Sequence, residues 1–222
     1  MIVHPPGYLK HLREVTRKYD ILLIADEVAV GFGRTGRMFA SEWEEVSPDL
    51  LCLGKGITGG YMPLAATMAT EEIFSAFLGD FEELKTFFHG HTYTGNPLAC
   101  AAALASLQVF KEEKTLDDSV FGPKAKKYAE GMASLGQLEH VGSTRYRGLM
   151  GGVEVVRDTT TKEPYPFEER IGYKIILEAR KQGVMLRPLG DVVVLMPPLA
   201  VSLEELDLLF DATEKAIRKV TG

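Results

Sequence analysis

The chain has 222 residues, 45% of them hydrophobic and 25% charged, with a formal net charge of −6 and a pI near 5.5. That length accommodates one large or two modest domains with a sizeable core, and the acidic balance argues against a nucleic-acid or anionic-membrane surface. No apolar run is long enough to span a bilayer, and the opening "MIVHPPGYLKHLREV" lacks the apolar core of a signal peptide.

Residues 5–19 read as a helix, with Pro5 and Pro6 in the first turn and Leu9, Leu12 and Val15 at helical spacing. It feeds "ILLIADEV", a continuous apolar run of the kind found in a strand buried on both faces. "DLLCLGKG" and "PLAATMAT" read as two more such strands, which predicts an α/β domain with a mainly parallel sheet. "NPLACAAALASLQVFKEE" comes next as a long alanine-rich helix. A three-stranded parallel sheet is unusually small, so further strands from outside this sequence are expected.

Beyond residue 113 the texture changes, and 114–222 is expected to form a smaller α+β domain beside the 1–113 domain. "SLGQLEHVGSTRYRGLMGGVEVV" suggests short strands with glycine turns, and "FEERIGYKIILEARKQG" a helix closed by Gly183. The last stretch reads as strand, turn and terminal helix, with Ser202 at the cap and Glu205 at the capping-box position.

Several residues stand out chemically. Lys55 lies between Leu53-Gly54 and Gly56-Ile57, where an ammonium group is hard to solvate. Either it reaches solvent from a strand end or it works as a neutral amine. Asp26 closes the apolar "LLIA", at the carboxyl edge of a strand, where α/β folds build ligand sites. Strand alternation turns Asp26 and Val28 to one face and Glu27 to the other. A carboxylate beside valine suits a flat heteroaromatic ring, and a lysine on the neighbouring strand end suits pyridoxal phosphate; the alternative is a buried Asp–Lys ion pair.

Other stretches carry weaker signals. Gly31-Phe32-Gly33-Arg34-Thr35-Gly36 matches G-x-G-x-x-G, but no helix start comes after it, so a glycine-shaped loop is expected rather than a dinucleotide site. Thr92, Thr94, Gly95 and Asn96 precede the alanine-rich helix, where they suit a phosphate or simple N-capping by Asn96. Arg187, fixed in direction by Pro188, suits a substrate carboxylate or an ordinary surface position. Cys52 and Cys100 lack partner spacing, which suggests a reducing cytoplasmic setting. His89 and His91 have no cysteine or acid at ligand spacing, so no metal is expected.

Taken together, "LLIADEVAVGFGRTGRMFASE" and "VSPDLLCLGKGITGGYMPLAA" resemble the signature of the class III aminotransferases, pyridoxal-phosphate enzymes of fold type I. Within that class, "TFFHGHTYTGNPLACAAALASL" and "GVMLRPLGDVVVLMPP" most resemble the members that aminate 8-amino-7-oxononanoate in biotin synthesis, with S-adenosylmethionine as amino donor. The resemblance implies that Lys55 is the catalytic Schiff-base lysine, that Asp26 pairs with the protonated ring nitrogen and that Val28 packs on the ring. It further implies that Thr92 reaches the cofactor phosphate of the neighbouring subunit in a homodimer, and that Arg187 binds the carboxylate of the oxo-acid. Family chains are about twice this length, and the resemblance covers the second half of the large domain plus the small domain. Two alternatives stand beside this reading: another class III transaminase of ω-amino acids or diamines, and a non-catalytic half-protein that needs a partner chain.

Overall fold

The computed structural model describes residues 1–222, which fall into two compact units: Pro5–Leu116, and Asp117–Gly222 together with Met1–His4. The first four residues belong with the later unit rather than with the 1–113 domain that the sequence suggests. Their anchor is Arg145, whose Nε donates to the Met1 carbonyl.

In the Pro5–Leu116 unit, helix α1 spans Tyr8–Lys18 and starts after Gly7, which takes a left-handed φ of 88°. Pro5 and Pro6 therefore precede the helix instead of forming its first turn. Strands β1 (Ile24–Asp26), β2 (Leu50–Leu53) and β3 (Ala66–Ala69) make a sheet of order β1-β2-β3. β1 and β2 run parallel, with Asp26 opposite Cys52, but β3 is antiparallel to β2. The expected third parallel strand is corrected here: the link from β2 to β3 holds only a one-turn 3-10 helix, and parallel return needs a longer crossover.

The strands are also less buried than their apolar composition suggests. Ile24 is 60% exposed, and β1 occupies a sheet edge. Helix α2 (Glu71–Ser75) leads into an exposed arm rich in phenylalanine. Helix α3 (Pro97–Glu112) then starts at Asn96, whose Oδ1 accepts the N–H groups of Leu98 and Ala99 at 3.0 and 3.2 Å. Its small Ala99 and Ala103 are buried, which lets the helix approach the 3-10 turn Lys55–Thr58 closely. One ion pair binds α1 to the sheet: Arg13 Nη1 lies 2.7 Å from Asp49 Oδ2, which also accepts the Leu23 N–H at 2.6 Å.

The later unit is an antiparallel sheet with three helices. Its strands β4 (Val141–Arg147), β5 (Met150–Val155), β6 (Arg187–Leu189) and β7 (Val192–Leu195) stand in the order β4-β5-β7-β6. Helices α4 (Asp118–Leu135), α5 (Ile171–Lys181) and α6 (Leu203–Thr221) complete it. No sequence pattern announces α4, because Gly122, Pro123 and Gly131 interrupt its apolar spacing. Its packing explains the interruption: a Cβ at Gly131 would run into the Phe210 ring. The Tyr128 hydroxyl, fully buried, donates to the Leu195 carbonyl at 2.8 Å and so joins α4 to β7. Ser202 and Glu205 form the expected reciprocal cap of α6, at 3.1 and 2.8 Å. Gly183 ends α5 with a φ of 82°, a conformation other residues adopt only with strain. No helix is long and apolar enough to cross a membrane.

Candidate active site

Parallel pairing of β1 and β2 brings their carboxyl ends side by side, about 5 Å apart. Asp26 is the last residue of β1, and Lys55 lies two positions beyond the end of β2. Both side chains are exposed. Lys55 therefore reaches solvent, since β2 ends at Leu53 and the lysine stands beyond it. The alternative of an Asp26–Lys55 ion pair is not realised either, because the two charges do not come within 4.0 Å. Asp26 instead accepts the Val28 N–H through Oδ1 at 3.0 Å, which fixes the carboxylate against the chain that leaves the strand.

Lys55 has an unusual backbone. Its φ is +43°, a left-handed conformation that costs a non-glycine residue about 1–2 kcal/mol. Tight packing on both sides holds it there. A Cβ at Gly54 would lie 3.3 Å from Val28 Cγ1, and a Cβ at Gly56 would lie 2.8 Å from Phe32 Cβ. The two glycines flanking the lysine are therefore sites of close approach, and Val28 and Phe32 clamp the turn. Phe32 itself is buried, has a φ of +53°, and meets the Phe39 ring edge-on at 5.8 Å between centroids.

The loop that carries Phe32 contains the G-x-G-x-x-G match. Gly33 and Gly36 take left-handed φ values of 84° and 92°, and the next element along the chain is the 3-10 helix Ala40–Glu44. No α-helix opens at this motif, in keeping with a glycine-shaped loop. Strand alternation gives Glu27 the face opposite Asp26 and no role, yet its position there is the signal that reveals one. Its carboxylate is buried and accepts the N–H groups of Ala40 and Ser41 at 2.7 and 2.8 Å.

Thr92 lies in the same unit, in the exposed connection before α3, and its hydroxyl has no partner within the chain. Asn96 performs the helix capping there. Arg187 belongs to the other unit. It opens β6 opposite Val194 and lines a groove of about 530 Å³ with Met185, Met196, Pro198, Val201 and Leu209. No carboxylate stands within 4.0 Å of its guanidinium. Among the residues described, no histidine, cysteine and acid group gathers at metal-binding distance.

Comparison with known proteins assigns the chain. The family described as "Aminotransferase class-III" matches residues 1–217. The chain belongs to the class III aminotransferases. A relative in this family from Geobacter sulfurreducens, named adenosylmethionine-8-amino-7-oxononanoate aminotransferase, is 56% identical over 222 residues, which is all of this chain and 49% of the relative. The crystal structure of the protein of that name from Methanocaldococcus jannaschii is 46% identical and superposes with a TM-score of 0.95, over 99% of this chain and 51% of that one. An amine transaminase from an uncultivated Pseudomonas species, solved in its PLP-bound form, is 39% identical with a TM-score of 0.90, over 99% and 49%. This class III chain spans about half the length of the curated relatives it matches.

Proposed function

We propose that this chain acts in the pyridoxal-phosphate-dependent transfer of an amino group to 8-amino-7-oxononanoate, giving 7,8-diaminononanoate for biotin synthesis, with S-adenosylmethionine as donor. The observation that carries the reading is Lys55: exposed, without an ionic partner, and held in a left-handed turn between Val28 and Phe32, just past the end of the strand that pairs with the one Asp26 closes. The choice of substrate rests on relatives 54–56% identical that bear that name. The residues present fit the cofactor. The strand ends offer an amine, a fixed carboxylate and a small branched side chain packed on a glycine, a set suited to one flat ring with a basic nitrogen.

Bound pyridoxal phosphate supplies an electron sink for the carbon that loses its proton. With the cofactor bound, Lys55 Nζ would be the group that holds it and, as a neutral base, would move the proton at the donor carbon. Asp26 would offer the counter-charge that favours a protonated ring nitrogen. Val28 would supply an apolar wall for that ring. Arg187, unpaired beside an apolar groove, suits an acceptor that carries a carboxylate on an aliphatic chain. Thr92, with its free hydroxyl on an exposed aromatic arm, suits a homodimer in which it reaches the partner's cofactor phosphate. The setting proposed is the cytoplasm.

Borohydride reduction of the chain with pyridoxal phosphate, then peptide mass mapping, tests this reading. Cofactor mass on the Lys55 peptide is the expected result, together with its loss in Lys55→Ala. Labelling spread over other lysines, or undiminished amino transfer by Lys55→Ala, overturns it.

A further inference from the structure

Glu27 is the one acidic residue that the chain buries, at 2% exposure. Four hydrogen bonds converge on it. Its N–H donates to the Cys52 carbonyl at 2.9 Å, which ties the end of β1 to β2. Its carbonyl accepts the Gly31 N–H at 2.8 Å, which turns the chain after Val28. Its Oε2 and Oε1 accept the Ala40 and Ser41 N–H groups at 2.7 and 2.8 Å, where the 3-10 helix begins and those amides lack helical acceptors. The segment 28–39 therefore leaves and returns on a single residue. Two side chains of that segment, Val28 and Phe32, are the ones packed on Gly54 and Gly56 at either side of Lys55. Phe32 keeps a φ of +53°, a state that persists only when its surroundings hold it from both ends.

We infer that Glu27 is a positioning residue: by closing the 28–39 loop it holds Val28 and Phe32 against Gly54 and Gly56, and so sets how Lys55 and Asp26 are presented. The inference rests on the reading of Lys55 and Asp26 as cofactor residues. The carboxylate gives each of the two adjacent N–H donors an oxygen of its own. Glutamine has a single oxygen, and its amide N–H₂ would face the second donor and leave it buried without a partner.

The test uses the chain with pyridoxal phosphate as probe, in wild type, Glu27→Gln, Glu27→Asp and the pair Glu27→Gln with Asp26→Asn. Amide exchange at Ala40 and Ser41 is expected to rise about tenfold or more in Glu27→Gln, and cofactor affinity to fall about tenfold. Amides of β5 and β7 keep their protection. Glu27→Asp retains both oxygens and recovers part of each loss. In the Asp26→Asn background, Glu27→Gln should weaken binding by less than about threefold, because both changes act on one site. A general structural role would instead multiply the two losses and would overturn the assignment, as would wild-type affinity in Glu27→Gln or unchanged exchange at Ala40 and Ser41. If Glu27→Gln fails to fold, Glu27→Asp decides on the same readings. A wild-type chain that forms no Lys55 adduct refutes the functional reading and this inference with it. An adduct in wild type that Glu27→Gln leaves intact refutes this inference alone.

Discussion

Lys55, to which we assign the cofactor-holding amine, adopts a conformation that its own side chain disfavours. At φ +43° a Cβ crowds the backbone, and glycine does not. Lys55→Gly should therefore be more stable than Lys55→Ala by about 1 kcal/mol, although neither can attach a cofactor. Denaturant midpoints of the two variants measure this directly; equal midpoints would mean that the turn carries no strain. Arg187 is tested differently. On the proposed reading Arg187 makes a two-pronged carboxylate contact worth about 2–3 kcal/mol, so Arg187→Ala should raise KM for the oxo-acid roughly thirty- to a hundred-and-fiftyfold. The half-reaction with the amino donor should change far less. Equal losses in both half-reactions would mark the arginine as structural.

At the scale of elements, the seam between α1 and the sheet depends on one carboxylate. The Leu23 N–H, and after it the Arg13 guanidinium, hold Asp49 below the usual carboxylate range. A group with a depressed folded pKa contributes stability above its unfolded value, near 4 for aspartate, and loses it as the pH falls through the folded value. The Pro5–Leu116 unit should thus weaken as the pH drops below about 4. Asp49→Asn should lower its stability at neutral pH by about 2 kcal/mol and flatten that part of the acid dependence. Stability measured against pH for both forms decides it: coincident curves would show that the Arg13–Asp49–Leu23 junction contributes nothing. The junction is also where local propensity gives way to packing, since β1 is only Ile24–Asp26 and needs the Leu23 contact to align with β2.

On the scale of the whole molecule, burial is uneven. Of the twelve largest fully buried side chains, eleven lie between Tyr128 and Ile217, and only Thr58 lies in the other unit. That other unit instead presents an arm in which Phe81 and Phe88 are 89% and 88% exposed, near Leu84, Phe87 and Tyr93. Apolar surface of this extent promotes association. The chain should self-associate at micromolar concentration, and Phe81→Ser with Phe88→Ser should shift it toward smaller species. Size-exclusion chromatography with light scattering reads the outcome, and a monodisperse wild-type monomer would contradict it.

What the sequence determined by itself was local and chemical. The α6 capping box, the Asn96 cap with Pro97 behind it, the Gly183 stop and the signature around Asp26 and Lys55 are all written in neighbouring residues, because short hydrogen bonds and backbone preferences act over a few positions. The glycine motif at 31–36 could likewise be set aside locally, for want of a helix after it. Only tertiary structure decided the rest. The direction of β3 depends on the length and shape of the chain between strands, and the exposure of β1 on which neighbours its edge has. Helix α4 escaped detection because Gly131 serves the ring of Phe210, some eighty residues away in the chain, rather than its own helix. The same holds for Glu27: its neighbours in sequence make it the unused face of a strand, and the amides of Ala40 and Ser41, brought back by the loop, make it the residue on which that loop closes.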